Sequence, residues 1–206
     1  MKDNLLTKIL NDRSTHLLII ANIITIIFAI VENWDFGIII FVYWCQSIII
    51  GFFGVLRILN LKKFTTDNFY MSGVQPEPNE KTKKLVAIIF VIFFGFFHIL
   101  YLAMILSTFT TLNTLEENYI FIIPSIAGFL ITHTYSYFYN KDADSKQIPN
   151  IGIMFFRPIA RIIPIHFAPV IGGLTFGMTT PSKISLVAFL LVKTIIDVIM
   201  HRLEHK

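Results

Sequence analysis

Long apolar runs separated by short polar breaks make up most of the chain. Six of these runs are close to the roughly 20 residues that an α-helix needs to cross a bilayer. They cover residues 17–31, 36–59, 85–112, 119–139, 151–178 and 184–203. The first run is short and gains a turn from residues 14–16. The pattern predicts an all-α, polytopic integral membrane protein in which six transmembrane helices form one bundle domain over residues 1–206.

Composition agrees with a membrane protein and excludes several other classes. Hydrophobic residues make up 55% of the 206 residues, which is more than a soluble domain of this length buries. The single cysteine, Cys45, excludes an internal disulfide and a cysteine-based metal site. No nucleotide-binding motif is present, which disfavours a primary pump. The net charge of +4 does not indicate nucleic acid as a partner, because membrane topology accounts for it.

Lys and Arg are unevenly distributed between the two sides of the predicted bundle. Of the 17, 13 fall on the side of both termini, Lys183 falls on the other side, and the remaining three, Arg157, Arg161 and Lys193, lie at membrane depth. The positive-inside rule therefore predicts cytoplasmic termini and a multi-pass protein of the plasma (inner) membrane. The first run ends in Glu32-Asn33-Trp34 without a small-residue cleavage site, so we interpret it as a retained span.

Ionisable side chains within the runs concentrate at one depth. Each costs roughly 2.5–3.5 kcal/mol at the centre of a membrane helix, so these side chains should face one another or water. In the predicted topology nine such side chains, counting His205 just beyond the sixth run, lie between the midplane and the cytoplasmic face. They are His98, His133, Arg157, Arg161, His166, Lys193, Asp197, His201 and His205. This convergence predicts a polar site in the cytoplasmic half of the bundle.

Asp197 is the only carboxylate within the six apolar runs. It should therefore be the counter-ion of Arg161 or of Lys193, which lies one turn away on the same helix face. Two interpretations remain open. Asp197 could be a catalytic acid, base or metal-ligating carboxylate, or it could belong to a structural ion pair between the last two spans.

Arg157 and Arg161 lie one turn apart in the fifth run and suit a phosphate or carboxylate group of a substrate. Lys193 is the third candidate substrate-binding residue. Arg157 could instead reach the cytoplasmic lipid head groups. Three prolines in the same run, at positions 158, 164 and 169, predict a kinked or broken helix, which either lines a cavity or shapes packing.

The histidines predict an intramembrane metal site. His201 and His205 have the i, i+4 spacing that directs two imidazoles at one ion, and the other three bring further spans to the same depth. Imidazoles with a carboxylate or water suit zinc and other first-row metals. The favoured ligands are His98, His166 and His201 with Asp197; His133 would be a supporting donor and His205 a reserve ligand. Alternatively, each histidine is a neutral, hydrogen-bonded core residue.

Several motifs together resemble an uncharacterised family of small prokaryotic polytopic membrane proteins, a domain of unknown function. The resemblance rests on Tyr43-Trp44 with Gly51, Phe52 and Arg57; on His98; on His133 with Ser136, Tyr139 and Asn140; on Arg161, Pro164, His166 and Gly172; and on Lys193, Asp197, His201, Glu204 and His205. It implies the same membrane fold and a shared polar site, with no known activity. This chain has Gln46-Ser47 where the family favours Glu-Asn, and Ile105 where it favours a second His.

A looser likeness is to the zinc-dependent lipid hydrolases of the alkaline ceramidase and adiponectin-receptor group. It implies that His98, His201, His205 and Asp197 could imitate their zinc ligands, although those proteins have seven spans. A rhomboid-type protease is disfavoured because no Gly-x-Ser-Gly pattern occurs.

Three functional hypotheses follow. The first is a metal-dependent membrane hydrolase of lipid-like substrates, in which metal-bound water is the nucleophile and Asp197 is a ligand or base. The second is a proton-coupled carrier or anion-binding membrane module that uses Asp197, Lys193 and Arg161. The third is a non-catalytic structural subunit. The expected partners are the lipid bilayer and a lipid-like or anionic substrate.

Overall fold

The computed structural model describes residues 12–144, 146–161 and 183–204. The first helices are α1 (Arg13–Val31), α2 (Phe36–Leu59) and α3 (Glu80–Met104), and a π-helical turn follows (Ile105–Phe109). The later helices are α4 (Leu112–Glu117), α5 (Tyr119–Asp144) and α7 (Lys183–Glu204). Residues 151–161 are helical and are labelled α6. The predicted all-α fold is confirmed for the described residues, in which no strand occurs.

Polar residues in the breaks start the first three helices. Asp12, Asp35 and Asn79 each accept a hydrogen bond from a backbone N–H in the first turn of α1, α2 and α3, respectively. Such caps pair donors that the helix itself leaves without acceptors. Asn33 has a φ of 50°, a left-handed conformation that Asn tolerates, and it lets the chain reverse tightly between α1 and α2.

Four helices in the described part of the chain are long and apolar enough to cross a membrane. They are Arg13–Val31, Phe36–Leu59, Glu80–Thr108 and Tyr119–Lys141, and they correspond to the first four predicted runs. Large apolar side chains on their outer faces are solvent-exposed in the isolated chain, as at Ile92 and Ile99, which are 67% and 71% exposed. Faces of this kind suit contact with lipid, so the helices are those of a membrane protein.

The fifth and sixth runs are described only in part. Residues 151–161 of the fifth run are helical, whereas its remainder, with Pro164 and Pro169, lies outside the described residues. The sixth run forms α7, which is not among the four apolar helices and carries Lys193, Asp197 and Arg202.

The third run differs from its predicted boundaries of 85–112. The helix begins earlier, at Glu80, because Asn79 caps it, and the α-helical part ends at Met104. A π-helical turn follows, and Thr110 is extended. The Thr110 N–H donates to the carbonyl of Ile105, the five-residue spacing typical of a π-helix.

The order of the helices determines which polar residues meet. α1 packs against α5 and α7, and α2 packs against α3 and α5. Gly54 brings α6 close to α2, because a Cβ at this position would lie 2.8 Å from Pro158 Cγ. α2 is the most buried of these helices, and its residues Ile40, Val42 and Tyr43 are fully inaccessible. The buried polar side chains of α1, α2, α5 and α6 converge on α7.

Candidate functional site

Lys193, Asp197 and His201 follow one another at single-turn intervals along α7 and are all buried. The helical spacing of four residues places them on one face. This face packs against α1 and also receives side chains from other helices.

The Asp197 carboxylate joins three parts of the chain. Its Oδ1 accepts a hydrogen bond from Arg161 Nε at 3.1 Å, and its Oδ2 lies 2.6 Å from Lys193 Nζ. Asn22 Nδ2 of α1 also donates to Oδ2, at 3.4 Å. Arg161, Lys193 and Asp197 are each at most 3% exposed. The predicted pairing of Asp197 with Arg161 or Lys193 is therefore seen with both cations at once.

Lys193 has an acceptor for each of its three N–H groups. Besides Asp197, its ammonium donates to Asn22 Oδ1 at 2.9 Å and to Gln46 Oε1 at 2.7 Å. The ammonium also lies over the rings of Tyr43 and Phe129, 4.1 Å and 5.1 Å from their centroids. Three acceptors and two aromatic faces are the environment of a charged ammonium.

Two buried donors on α2 have no acceptor in the described part of the chain. They are the Nε2 amide of Gln46 and the hydroxyl of Tyr43. The orientation of the Gln46 amide follows from chemistry, because Lys193 only donates and must therefore face Oε1. Each donor left buried without an acceptor costs about 1–3 kcal/mol. Both side chains are in contact with the ammonium of Lys193, so the unused donors belong to the same cluster.

Among the described residues of the cluster, the positive charges outnumber the negative ones. Arg161 and Lys193 carry two positive charges, and Asp197 carries one negative charge. No other Asp or Glu occurs in any of the six apolar runs, including residues 162–178, which lie outside the described part. A net positive charge in a buried site is costly unless an anion compensates it.

A second polar layer lies one turn further along α7. His201 Nε2 is 3.0 Å from Ser14 Oγ, and the Ser14 hydroxyl donates to Asp12 Oδ1 at 2.9 Å. Asn140 Nδ2 of α5 also reaches Ser14 Oγ, at 3.5 Å. The ring of His133 lies edge-on to that of His201, with centroids 6.4 Å apart. This layer joins α1, α5 and α7.

Asp12 lies at the edge of this second layer, directly before α1. Partial burial alone would raise the pKa of its carboxyl, but hydrogen bonds from Thr15 and Ser14 outweigh burial and lower that pKa. Thr15 Oγ1 donates to Asp12 Oδ2 at 2.6 Å. Asp12 is therefore ionised at neutral pH, with Arg202 Nη1 4.0 Å from Oδ2.

His98 lies in a different environment from His201. Its Nε2 is 2.7 Å from Ser47 Oγ on α2, and its Nδ1 is 2.8 Å from the carbonyl of Phe94. Its ring stacks on Phe94, and Trp44 Nε1 donates to its backbone carbonyl. Both ring nitrogens thus have partners on α2 and α3.

The structure brings together only part of the predicted metal site. In the described ranges, no three His, Cys, Asp or Glu side chains are grouped so that they could hold a metal ion. His166 and His205, two of the predicted ligands, lie outside those ranges. His133 and His201 are near each other, whereas His98 contacts other partners. The zinc site stays a prediction.

Arg157 does not share the environment of Arg161, although the two are one turn apart. It is half-buried and lines a separate cleft of about 460 Å³ with Asp67, Asn150 and Phe156. Arg161 is fully buried at Asp197. The hypothesis that Arg157 and Arg161 bind a substrate together therefore stays a prediction.

Several residues of the cluster were not among the sequence-based candidates. They are Ser14, Asn22, Tyr43 and Gln46, all of which are almost completely buried. A polar residue within an apolar run is the signal that could have identified Asn22 and Gln46. Tyr43 gives no such signal, because a tyrosine in a membrane helix is also common at the interface with water.

The comparisons with known proteins identify a family and no activity. No curated protein and no solved structure matches the chain significantly. The looser likeness to the alkaline ceramidase and adiponectin-receptor hydrolases therefore gains no support. The profile of one protein family, described as a family of unknown function, matches residues 5–206. The expected resemblance to an uncharacterised family is confirmed, and the chain belongs to the DUF6498 family.

Proposed function

We propose that the protein is a six-span carrier of the plasma membrane, with both termini in the cytoplasm, that binds a small anion at the Arg161–Asp197–Lys193 cluster. The six apolar runs and the uneven distribution of Lys and Arg support the topology. The four apolar helices would be the first four of these spans, residues 151–161 would begin the fifth, and α7 would be the sixth.

The main support for this proposal is that the cluster has more hydrogen-bond donors than acceptors and more positive than negative charges among the described residues. Two cations share one carboxylate, while the Tyr43 hydroxyl and the Gln46 amide have no acceptor in the described part of the chain. An anion would compensate the charge and accept both hydrogen bonds. Hydrogen bonds to charged groups contribute about 1.5–3 kcal/mol each, so the donors favour an anion over a neutral ligand.

The position of the cluster supports a carrier in particular. Substrate sites of membrane carriers lie near the middle of the bilayer, where spans are often interrupted. Lys193 is central in the sixth run, and the predicted break in the fifth run follows Arg161 directly at Pro164. A fully buried site also limits the anion to a small one.

Thermal unfolding of the purified protein tests this function. A ligand that binds only the folded state raises the unfolding temperature in a saturable way. Chloride, nitrate, acetate and phosphate are titrated as sodium salts at constant ionic strength, with gluconate as the balancing anion. We expect at least one of them to stabilise the protein with a saturation curve.

Gln46→Glu is the decisive variant in this assay. The new carboxylate lies beside Lys193 and cancels the surplus positive charge, so the variant should lose the anion effect. Gln75→Glu makes the same substitution in the break between α2 and α3, where Gln75 donates to Thr66 Oγ1, and it should keep the effect. The proposal is wrong if no anion stabilises the protein or if Gln46→Glu responds as the unmodified chain does.

A zinc-dependent hydrolase is the second candidate, and the proximity of His133 to His201 favours it. The two imidazoles approach each other across α5 and α7, and Asp197 lies one turn from His201. Residues His166 and His205 would have to complete the ligand set. Elemental analysis of the chelator-washed protein tests this: about one zinc per chain, lost in His201→Ala, would support it, and a metal-free protein would oppose it.

A further inference from the structure

A cleft of about 460 Å³ lies where the break between α2 and α3 meets the start of α6. Backbone hydrogen bonds fix the break to α6, because the Thr65 N–H donates to the Pro149 carbonyl and the Ile151 N–H donates to the Thr65 carbonyl, both at 3.0 Å. The Asn150 side chain also donates to the carbonyl of Asp67, at 2.7 Å. The walls of the cleft are therefore held in place by contacts within the protein.

Close packing completes these walls. Gly152 lets Phe69 of the break pack directly on the first turn of α6, because a Cβ at this position would lie 2.7 Å from Phe69 Cδ2. Asn68, which lines the cleft beside Phe69, has a φ of 56°, a left-handed conformation that Asn tolerates. Break and helix thus form a cleft that exists before any ligand binds, as is usual for ligand sites.

The cleft carries one charge of each sign. Arg157 of α6 and Asp67 of the break are the two charged residues among the described residues that line it. Asp67 is exposed and forms no ion pair with another described residue, so the two charges do not neutralise each other. A guanidinium binds a phosphate through parallel hydrogen bonds, and a carboxylate accepts hydrogen bonds from an ammonium. A zwitterion that contains a phosphate and an ammonium therefore complements both charges.

Much of the remaining lining is apolar and continues onto the outer surface of the protein. Ile153 and Phe156 of α6 are 53% and 59% exposed, and Phe69 and Met200 lie beside them in the cleft. Ile153 and Phe156 belong to the fifth apolar run, whereas Asp67 belongs to a polar break, so the cleft spans the boundary between the two. Such a boundary corresponds to the bilayer interface, where a lipid head group meets its acyl chains.

We propose that this cleft binds phosphatidylethanolamine, with the phosphate at Arg157, the ammonium at Asp67 and the acyl part along the apolar wall. Phosphatidylcholine fits less well, because its trimethylated nitrogen has no N–H to donate to the carboxylate. Phosphatidylglycerol fits less well, because it brings no cation to Asp67. The site contains no residue of the Arg161–Asp197–Lys193 cluster and does not depend on the function proposed for that cluster.

Native mass spectrometry of the purified full chain tests the proposal, because it counts bound lipid molecules. The delipidated protein in detergent is mixed with equimolar dioleoyl phosphatidylethanolamine, phosphatidylcholine and phosphatidylglycerol. We expect one phosphatidylethanolamine per chain, bound several-fold more tightly than either of the other two lipids. Equal binding of the three lipids would overturn the proposal. Displacement of the lipid by an equal concentration of soluble phosphoethanolamine would also overturn it, because the ligand would then be a soluble zwitterion.

Two variants assign the charges to their partners. Arg157→Gln should weaken the binding of all three lipids, since each contains a phosphate, whereas Asp67→Asn should remove the preference for phosphatidylethanolamine over phosphatidylcholine. Lys62→Gln and Glu77→Gln are the matched controls, because they remove one charge of each sign from exposed positions of the same break, and they should bind lipids as the unmodified chain does. An unchanged preference in Asp67→Asn would contradict the proposal, and the comparison of the three lipids on the unmodified chain decides the matter even if Arg157→Gln fails to fold.

Discussion

Arg161 and Asp197 form a buried ion pair across 36 residues of sequence, with Arg161 Nε 3.1 Å from Asp197 Oδ1. Each of the two side chains is at most 2% exposed. The pair connects α6 to α7. Because Lys193 and Asn22 contact the other oxygen of the same carboxylate, the pair also ties both helices to α1.

Replacing Asp197 should destabilise the protein strongly. Asp197→Ala leaves two buried cations without a carboxylate, and breaking a buried pair in this way costs about 3–5 kcal/mol. The double variant Asp197→Ala, Lys193→Met removes one cation together with the carboxylate and should cost less than the sum of the two single changes. Unfolding in detergent across this double-mutant cycle measures the coupling. Additive losses would mean that Asp197 and Lys193 do not interact.

The pairing of Asp197 with buried cations could be predicted from the sequence, because the apolar runs contain one carboxylate. Asp197 is the only carboxylate in the apolar runs, so any buried cation had to approach it. Run length predicted the helices for the same kind of reason, since only an α-helix pairs all backbone groups of a single apolar segment in lipid. These two conclusions needed no knowledge of how the helices are arranged.

The partners of Lys193 could not be predicted in this way. Depth in the membrane follows from the position of a residue along its run, but the angular order of the helices does not. Asn22 and Gln46 meet Lys193 because α1 and α2 turn these faces towards α7. The same limitation affected the histidines: His98 and His201 were both predicted to lie in the cytoplasmic half of the bundle, yet α3 packs on α2 while α7 packs on α1.

The predicted topology can be tested by cysteine labelling in intact cells. In a Cys45→Ala background, a cysteine at Gln75 should resist a membrane-impermeant maleimide, because the break between α2 and α3 is expected to be cytoplasmic. A cysteine at Glu116 should react from outside. The reverse labelling pattern would contradict the orientation of the whole bundle.

Asp12 should make the stability of the protein depend on pH in the acidic range. Its pKa in the folded state is lowered, so its stabilising contribution is complete above the unfolded pKa of about 3.9 and is lost as pH falls through the folded pKa. Asp12→Asn keeps a helix-capping side chain but removes the charge. We expect it to cost roughly 1 kcal/mol or less at neutral pH, given solvent screening.

Chemical denaturation at several pH values measures this effect. The difference in unfolding free energy between the unmodified chain and Asp12→Asn should be largest near neutral pH and should shrink below about pH 4. A difference that does not change with pH would show that the Asp12 carboxylate gains nothing from its hydrogen bonds with Ser14 and Thr15.

Tyr43→Phe isolates one of the donors that the proposed anion would use. The variant keeps the ring beneath Lys193 and removes only the hydroxyl, which has no acceptor in the described part of the chain. Tyr137→Phe is the matched control, because the Tyr137 hydroxyl accepts a hydrogen bond from Asn60 Nδ2 at 2.7 Å and lies away from the cluster.

The most direct measurement is the unfolding temperature of Tyr43→Phe with and without the stabilising anion. Without anion, removal of a buried, unused hydroxyl should leave the protein as stable as the unmodified chain or more stable. With anion, the variant should bind about 10- to 100-fold more weakly, because a hydrogen bond to a charged group contributes about 1.5–3 kcal/mol. Unchanged anion affinity in Tyr43→Phe, or a loss of stability without anion, would contradict the claim that the Tyr43 hydroxyl donates a hydrogen bond to a bound anion.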